Sequence, residues 1–492
     1  MAKQLFNSSE SSNFILNMTE DKYSKLASYG LVSALTLVSV MTAVPEIAGD
    51  NGLYSLASIG LSVAGVICMI LAIIAAMKKY INGRILLPVC TMGIMVLWGA
   101  ISLVNSYDKA IGFYGFSGRG EGLLAIIFYF CFFITAASVK KQKAFDTILK
   151  CTVTMGLVNA AFGLLQTFTG LFSTYKKITI STRGFADSGL AQSPLFLAMV
   201  LSIAMTAAVI SAVLSDSKKY RLFCIVSLCV MSMAAMFTYS LIALCGLAFA
   251  AVSAVVAVFA FKAPKIRLAS LLAIAAPACA AVLIVNAGVI GDLKSYQLHD
   301  GEILWWADSF YRLSASGAPD TERVDISDTF DVYYYLNSKT MNIISGAPVT
   351  GTGPEQLVFP QLYTNKDANG VELTELEDII MNNTGTFDKV YNEYLYTAAT
   401  RGIPSTVALA VTILASLFIG LRNVKKKKST DSLCFFMMTL CGTVIFFVGC
   451  SNITFAPFFW IAAGASCADL ISDKASRANE KKTAKNSKNL SK

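Results

Sequence analysis

Apolar residues in this chain run on for long stretches and then give way to short polar, mostly basic, breaks. Such runs lie near 28–46, 54–76, 85–105, 122–138, 149–168, 194–214, 222–238, 240–261, 268–290, 403–421, 432–450 and 453–471. A helix that crosses a bilayer takes about 20 mostly apolar residues, because it must match the hydrocarbon thickness. The pattern predicts an all-α, polytopic integral membrane protein with about 12 transmembrane helices. The division near Thr238–Ser240 rests on the shortest polar break. No cleavable signal pattern precedes the first run, which is expected to act as an uncleaved signal anchor. The expected organisation is a cytoplasmic segment over 1–27, helices 1–9 over 28–290 and a large, partly helical extracytoplasmic loop over 291–402. Helices 10–12 follow over 403–471, then a basic cytoplasmic tail over 472–492.

Composition agrees: 55% of residues are hydrophobic and 14% charged, too apolar for an ordinary soluble domain. The net charge of +9 would fit nucleic acid if it were clustered on one surface. Instead it is dealt out in the breaks, at Lys78–Lys79–Arg84, Lys140–Lys141–Lys143, Lys218–Lys219–Arg221, Lys262–Lys265–Arg267 and Arg422–Lys425–Lys428, and in the tail. With twelve spans all of these fall on one side with both termini, which by the positive-inside rule is the cytoplasm. Charge is therefore read as a topology signal facing a lipid bilayer, with no nucleic-acid partner. The 12 cysteines all lie in or beside apolar runs and read as free, buried thiols rather than a disulfide framework. One histidine and no ligand spacing give no metal site.

The 291–402 loop carries Trp305, Trp306, Phe310, Tyr311, Tyr333–Tyr334–Tyr335, Phe359 and Tyr363, enough aromatic area to fold or to lie at the bilayer interface. A helix is expected over 328–345, stopped by Gly346 and Pro348, then a turn at Gly351-Thr352-Gly353-Pro354 and a short acidic helix over 373–382. A last helix is expected from near Asp388 almost continuously into the next span, with Pro404 in that span's first turn. The loop holds 17 acidic against 7 basic residues, so any anion site there must be local. Span centres hold only neutral polar groups such as Asn159, Gln166 and Asn286, with Glu46 and Lys150 at span ends. Ion-coupled carriers keep an acid or base at that depth, so this pattern argues against one. No internal repeat of the inverted-transporter kind is visible.

Arg119 and Arg183 stand in glycine-containing turns on the side that is otherwise poor in basic residues. Their guanidinium groups suit an anionic headgroup, since arginine offers a bidentate fork to phosphate oxygens. The plainer reading pairs them with Glu121 and Asp187 to hold their loops. The stretch 388–401 carries Lys389, Tyr391, Asn392, Glu393 and Arg401. Lys389 and Glu393 are four apart and can pair on one helix face, with Arg401 two turns beyond at a similar angle. This is either a solvated helix entering the membrane or a carboxylate, an amide and a guanidinium set above an embedded ligand; the residues alone leave both open. His299, alone in a polar segment, reads as an ordinary surface residue.

These segments, in this order, resemble the O-antigen ligase and O-antigen polymerase superfamily over about residues 85–460. Gly112 to Leu123 is similar to the family's arginine-containing segment before the fourth span, and Arg183-Gly184-Phe185 through Gln192-Ser193-Pro194 to the segment before the sixth. Pro348-Val349-Thr350-Gly351-Thr352-Gly353-Pro354 resembles the glycine-rich signature, and Phe359-Pro360-Gln361 follows it as in some Gram-positive members. Lys389-Val390-Tyr391-Asn392-Glu393-Tyr394-Leu395 with Arg401-Gly402-Ile403 resembles the His-Asn-Glu helix leading into the tenth span. Tyr391 stands where the family has histidine, and Ser240-Leu241 where it has Ser-Arg. The arginine that often precedes the signature would fall near Tyr333, with Arg312 and Arg323 nearest.

The resemblance implies a membrane glycosyltransferase in a bacterial cytoplasmic membrane, acting in cell-surface polysaccharide assembly. The donor would be a glycan on undecaprenyl diphosphate and the acceptor a hydroxyl on a glycan, lipid or protein. Arg119 and Arg183 would stabilise the diphosphate leaving group. Asn392, Arg401, Lys389, Gly351 and Gly353 would complete the substrate site. With the histidine missing, Glu393 is the first candidate for the group that takes the acceptor's proton, and Tyr391 the second. No cofactor or metal is expected. Two other readings share the helix count: a flippase for the lipid-linked intermediate, which has no need of a structured cap, and a non-catalytic descendant that binds lipid-linked glycan.

Overall fold

Where no water is at hand, a segment must satisfy its own backbone N–H and C=O groups, and an apolar run does so as a helix. A computed structural model of the chain describes residues 18–43, 56–116, 120–169, 188–191, 193–238, 240–286, 329–358 and 390–469, and these are helical with no strand. In order they form α1 (Glu20–Ala43), α2 (Leu56–Met77), α3 (Leu86–Val104), the short α4 (Lys109–Tyr114), α5 (Leu123–Ala137), α6 (Gln142–Thr169) and α7 (Pro194–Leu214). There follow α8 (Lys218–Phe237), α9 (Leu241–Phe261), α10 (Leu272–Asn286), α11 (Thr329–Gly346), α12 (Glu393–Lys427), α13 (Thr430–Ile445) and α14 (Ala456–Cys467).

Among the described residues nine helices are long and apolar enough to cross a membrane: α1, α2, α3, α6, α7, α8, α9, α10 and α12. They are the helices of a multi-pass membrane protein. The shorter apolar helices α5, α13 and α14 fall on three of the remaining runs. The break near Thr238–Ser240 is real: Thr238 closes α8, and the Ser240 hydroxyl caps α9 by accepting from Ile242 N–H at 3.1 Å. All twelve cysteines are free thiols. No group of three or more acidic, histidine or cysteine side chains that could hold a metal is found among the described residues.

Two helices form the centre. α7 packs against α6, α8, α9 and α13, and α14 against α5, α12 and α13. Every residue of α14 is buried, as is nearly all of α7, and both are apolar all round, as a helix without a solvent or lipid face must be. Polar side chains inside the bundle bond across helices: Thr91 to Thr412 at 2.6 Å, Thr135 to the Cys68 carbonyl at 3.0 Å and Ser232 to the Ala273 carbonyl at 3.1 Å. Asn159 and Gln166 hold the 188–190 turn, accepting from the N–H groups of Leu190 (3.2 Å), Ser188 (3.2 Å) and Gly189 (2.8 Å).

One end of the bundle is basic and tied by charge. Lys140 and Lys141, before α6, meet Glu20 and Asp21 in the first turn of α1 at 2.9 and 2.7 Å. Asp469, past α14, faces Lys427 at 3.4 Å and Arg84 at 3.9 Å and accepts from Asn82 Nδ2 at 3.0 Å. The other end is where α3, the first turns of α5 and α12 and the 446–455 turn meet.

Two expectations shift. α12 begins at Glu393 rather than near Asp388, because the Asn392 side chain accepts from Tyr394 and Leu395 N–H (3.0 and 3.1 Å) and caps the helix there. Its run toward the span is broken at Gly402, whose φ of 79° and ψ of 164° are not helical. The helix expected over 328–345 is α11. The acidic helix expected over 373–382, and the loop aromatics at 305–311, 359 and 363, lie outside the described residues.

Candidate functional site

The break at Gly402 frees carbonyls that a continuous helix would use, and Pro404, two residues on, has no N–H to return to Thr400. The glycine-rich segment supplies what is missing. Thr352 N–H donates to the Ala399 carbonyl at 2.9 Å and Gly353 N–H to the Thr400 carbonyl at 2.8 Å, while Ile403 N–H turns to the Pro348 carbonyl at 2.8 Å. From α3, the Ser102 hydroxyl donates to the Thr400 carbonyl at 2.7 Å and the Trp98 indole to the Val349 carbonyl at 2.7 Å. This docking needs glycine at the contact. A Cβ on Gly402 would run into the Val349 carbonyl oxygen, and one on Gly353, at φ 109°, would run into the Ser106 hydroxyl.

The docked loop carries Glu355 to the bundle end. Its backbone sits at φ 59°, rare for a residue with a side chain, and its carboxylate accepts from the Tyr396 hydroxyl at 2.7 Å. Glu393, in the first turn of α12, accepts at Oε1 from Thr397 Oγ1 (3.1 Å) and Arg401 Nη2 (3.2 Å), and at Oε2 from Ser451 N–H (2.8 Å). Arg401 Nη2 also donates to Thr397 Oγ1 at 2.8 Å. Ser451 links this group to a third carboxylate: its hydroxyl donates to Glu121 Oε1 at 2.8 Å, where the Tyr129 hydroxyl also donates at 2.9 Å. Glu121, Glu355, Glu393 and Arg401 are 8%, 4%, 3% and 6% exposed. Charges so sheltered persist only where hydrogen bonds and counter-charge repay their lost hydration.

Between them lies a cavity of about 30 Å³, room for a water or two. Glu121, Glu355, Glu393, Arg401, Tyr129 and Tyr396 line its polar side, and Met92, Met95 and Trp460 its apolar side. Chemically the cluster can hold or relay a proton between carboxylates through hydroxyls, and it offers one guanidinium.

Of the residues expected from sequence, Glu393 and Arg401 stand together in this cluster, with Gly351 and Gly353 in the loop above. The predicted relation of Arg401 to Glu393, two turns along one face, is the one observed. Asn392 is spent on capping α12, and Tyr391, half-buried against the apolar core, is not among the cavity-lining residues. Arg119, Arg183 and Lys389 lie outside the described residues. Sequence reasoning missed Glu355, Tyr129, Tyr396 and Ser451, and read Glu121 only as a partner for Arg119. Glu355 directly follows the glycine-rich signature, and Ser451-Asn452 is a polar break between two apolar runs, so both left a local trace.

No protein-family model and no curated protein matches the chain.

Proposed function

We propose that this protein is a membrane glycosyltransferase of the O-antigen ligase/polymerase type. In this reading all twelve apolar helices cross the cytoplasmic membrane, both termini are cytoplasmic, and the carboxylate cluster is at the outer face. The observation that carries the reading is the convergence of three segments distant in sequence, each similar to a different motif of that superfamily. The segment before α5, the glycine-rich loop and the first turns of α12 meet around one buried cavity opposite the basic end of the bundle.

In the reaction, the oxygen of an acceptor hydroxyl attacks the anomeric carbon of the donor glycan. The bond from that carbon to the diphosphate oxygen breaks, and its electron pair leaves with undecaprenyl diphosphate. The proton of the hydroxyl passes to a carboxylate, Glu393 first among them. The cavity is too small for a sugar, so donor and acceptor meet at its rim. Arg119 and Arg183 are assigned the diphosphate charge, with Arg401 holding the Glu393 carboxylate in position.

The test is glycan transfer in reconstituted membranes. Arg119→Ala and Arg183→Ala should each lower turnover at least about a hundredfold, the scale for one group that stabilises transition-state charge. Glu393→Gln should nearly abolish turnover while lipid-linked donor still binds. Unchanged transfer in the arginine variants would remove the diphosphate role, and normal turnover in Glu393→Gln would remove the base. In cells, loss of the gene should shorten the surface polysaccharide if the enzyme polymerises, or leave lipid-linked polymer if it ligates.

A second reading is favoured by one observation. Both oxygens of Glu393 already accept hydrogen bonds, and Tyr391 replaces the family's histidine, as would suit a descendant that binds lipid-linked glycan without transferring it. Donor binding with no turnover in any assay, and no change in surface polysaccharide on gene loss, would select it.

A further inference from the structure

The glycine-rich loop grips a second part of the bundle end besides α12. Directly after Glu355 comes Gln356, which is 1% exposed and does not line the cavity. Its amide meets the backbone of Asp108, in the turn between α3 and α4, with both of its ends. Gln356 Oε1 accepts from Asp108 N–H at 2.9 Å, and Nε2 donates to the Asp108 and Pro354 carbonyls, each at 3.1 Å. One side chain thus gives an acceptor and a donor to a single residue's backbone, a closed bracket that an ionised carboxylate, having no donor, cannot complete. Asp108 is fixed from its other side too: its carboxylate accepts from Ala110 and Ile111 N–H at 2.8 and 3.0 Å and so starts α4. What the bracket holds is therefore the first turn of a helix.

From α4 the hold passes to Glu121 by direct backbone contact. Gly115 closes α4 at φ 94°, its N–H donating to the Ile111 carbonyl at 2.7 Å. It lies against the Gly120–Glu121 peptide bond, into which a Cβ would run, and a Cβ on Gly122 would run into the Phe113 carbonyl and the Gly115 nitrogen. With no side chain between the two backbones, a shift of α4 displaces Glu121. The Glu121 carboxylate lines the cavity and accepts from the Ser451 hydroxyl, while Ser451 N–H donates to Glu393. Consecutive loop residues therefore hold opposite flanks of the cluster: Glu355 meets Tyr396 of α12, and Gln356 reaches Glu121 through α4.

We propose that Gln356 is a positioning residue for glycan transfer, acting through α4 and Glu121 to keep Ser451 and Glu393 in register. The inference rests on the transferase reading above and deepens it. Gln356 touches neither donor nor acceptor. Loosening it lets Glu121 drift, and Ser451, which Glu121 holds, then carries its N–H away from the carboxylate assigned the acceptor's proton. Misplacement by about 1 Å can cost a reaction about a hundredfold.

Glycan transfer and amide hydrogen exchange, both on the full-length protein in reconstituted membranes, test it. In Gln356→Met, kcat per folded protein should fall at least about tenfold while KM for both substrates stays within about threefold of wild type. Exchange should speed up at least about tenfold over 109–115 and 120–123 and stay unchanged over 394–401, where α12 reports that the fold is intact. Gln356→Glu has the same length and separates the bracket from mere space filling. Protonated, the introduced carboxyl accepts from Asp108 N–H and donates to the Asp108 carbonyl; ionised, it only accepts. The other charges around the bracket are the Asp108 carboxylate, Lys109 beside it and Glu355. Measured against wild type at each pH, Gln356→Glu should outpace Gln356→Met and recover as pH falls. Three results overturn the role and leave the transferase reading standing: unchanged kcat in Gln356→Met, unchanged exchange over 120–123, or Gln356→Glu no faster than Gln356→Met at any pH. Wild-type protein that transfers no glycan would sink the transferase reading and this role with it. Should Gln356→Met fail to fold, Gln356→Glu decides, a deficit that stays flat with pH overturning the role.

Discussion

Replacing Glu393 or Arg401 alone should strand the other charge, so that the two single losses together exceed the loss when both are replaced. Their charged atoms are 3.2 Å apart, with side chains 5% and 8% exposed. At an effective dielectric constant of about 20, two unit charges at that spacing attract by about 5 kcal/mol. Removing one partner of such a buried pair costs about 3–5 kcal/mol, because the other charge is left in place. Glu393 would keep Thr397 Oγ1 and Ser451 N–H, so Arg401→Met should fall at the lower end, about 3 kcal/mol. Glu393→Gln leaves Arg401 with Thr397 and should cost about 2 kcal/mol. The double variant buries no lone charge, and its loss should fall short of the sum by at least about 1.5 kcal/mol. Reversible unfolding by sodium dodecyl sulfate in mixed micelles, read by far-UV circular dichroism, measures all four proteins. Coupling below about 0.5 kcal/mol, the usual limit of additivity, would refute the reasoning and reduce the pair to a coincidence of position.

The same titration should show Gly402→Ala losing at least about 2 kcal/mol, since alanine meets both the positive φ and the Val349 carbonyl. That variant should also expose the glycine-rich loop to limited proteolysis, whereas Gly83→Ala, which has open space around it, should not. Trp98→Phe deletes only the indole bond to the Val349 carbonyl and should cost about 1 kcal/mol. Cys90 and Cys279 are exposed on the flanks of α3 and α10, so in membranes they should react with a bilayer-permeant maleimide and resist a charged one. Labelling by the charged reagent would mean that those flanks face water.

The helices were legible because length and apolarity are local properties of the chain, and even the tight break at Thr238–Ser240 showed as a loss of apolar residues. The start of α12 was misjudged by several residues because the boundary is decided by one capping side chain, Asn392, in a stretch that is otherwise helix-compatible. The Glu393–Arg401 relation could be read from spacing within one helix. The rest of the cluster could not: Glu121, Glu355, Glu393 and Ser451 come from four segments, and only packing sets one beside another. Asn159 and Gln166 looked like neutral groups at mid-span, and their use in holding the 188–190 turn depends on a segment they do not adjoin in sequence.

The cluster's position follows from backbone accounting. Inside a continuous helix every N–H is already bonded four residues back, so a buried carboxylate there can find only side-chain donors. At an interruption, backbone donors are free again. Ser451 lies in such an interruption between α13 and α14, and its N–H reaches Glu393 while its hydroxyl reaches Glu121. Gly402 is another, and the carbonyls it frees draw in the loop that carries Glu355. The buried charge of this cluster thus gathers where helices break, at the bundle end, and the uncharged mid-span stretches are the counterpart of the same rule. A site built this way depends on its breaks as much as on its acids. Straightening α12 at Gly402 would leave Glu393 and Arg401 in place and still dismantle the cluster, by returning the Ala399 carbonyl to the helix and releasing the loop.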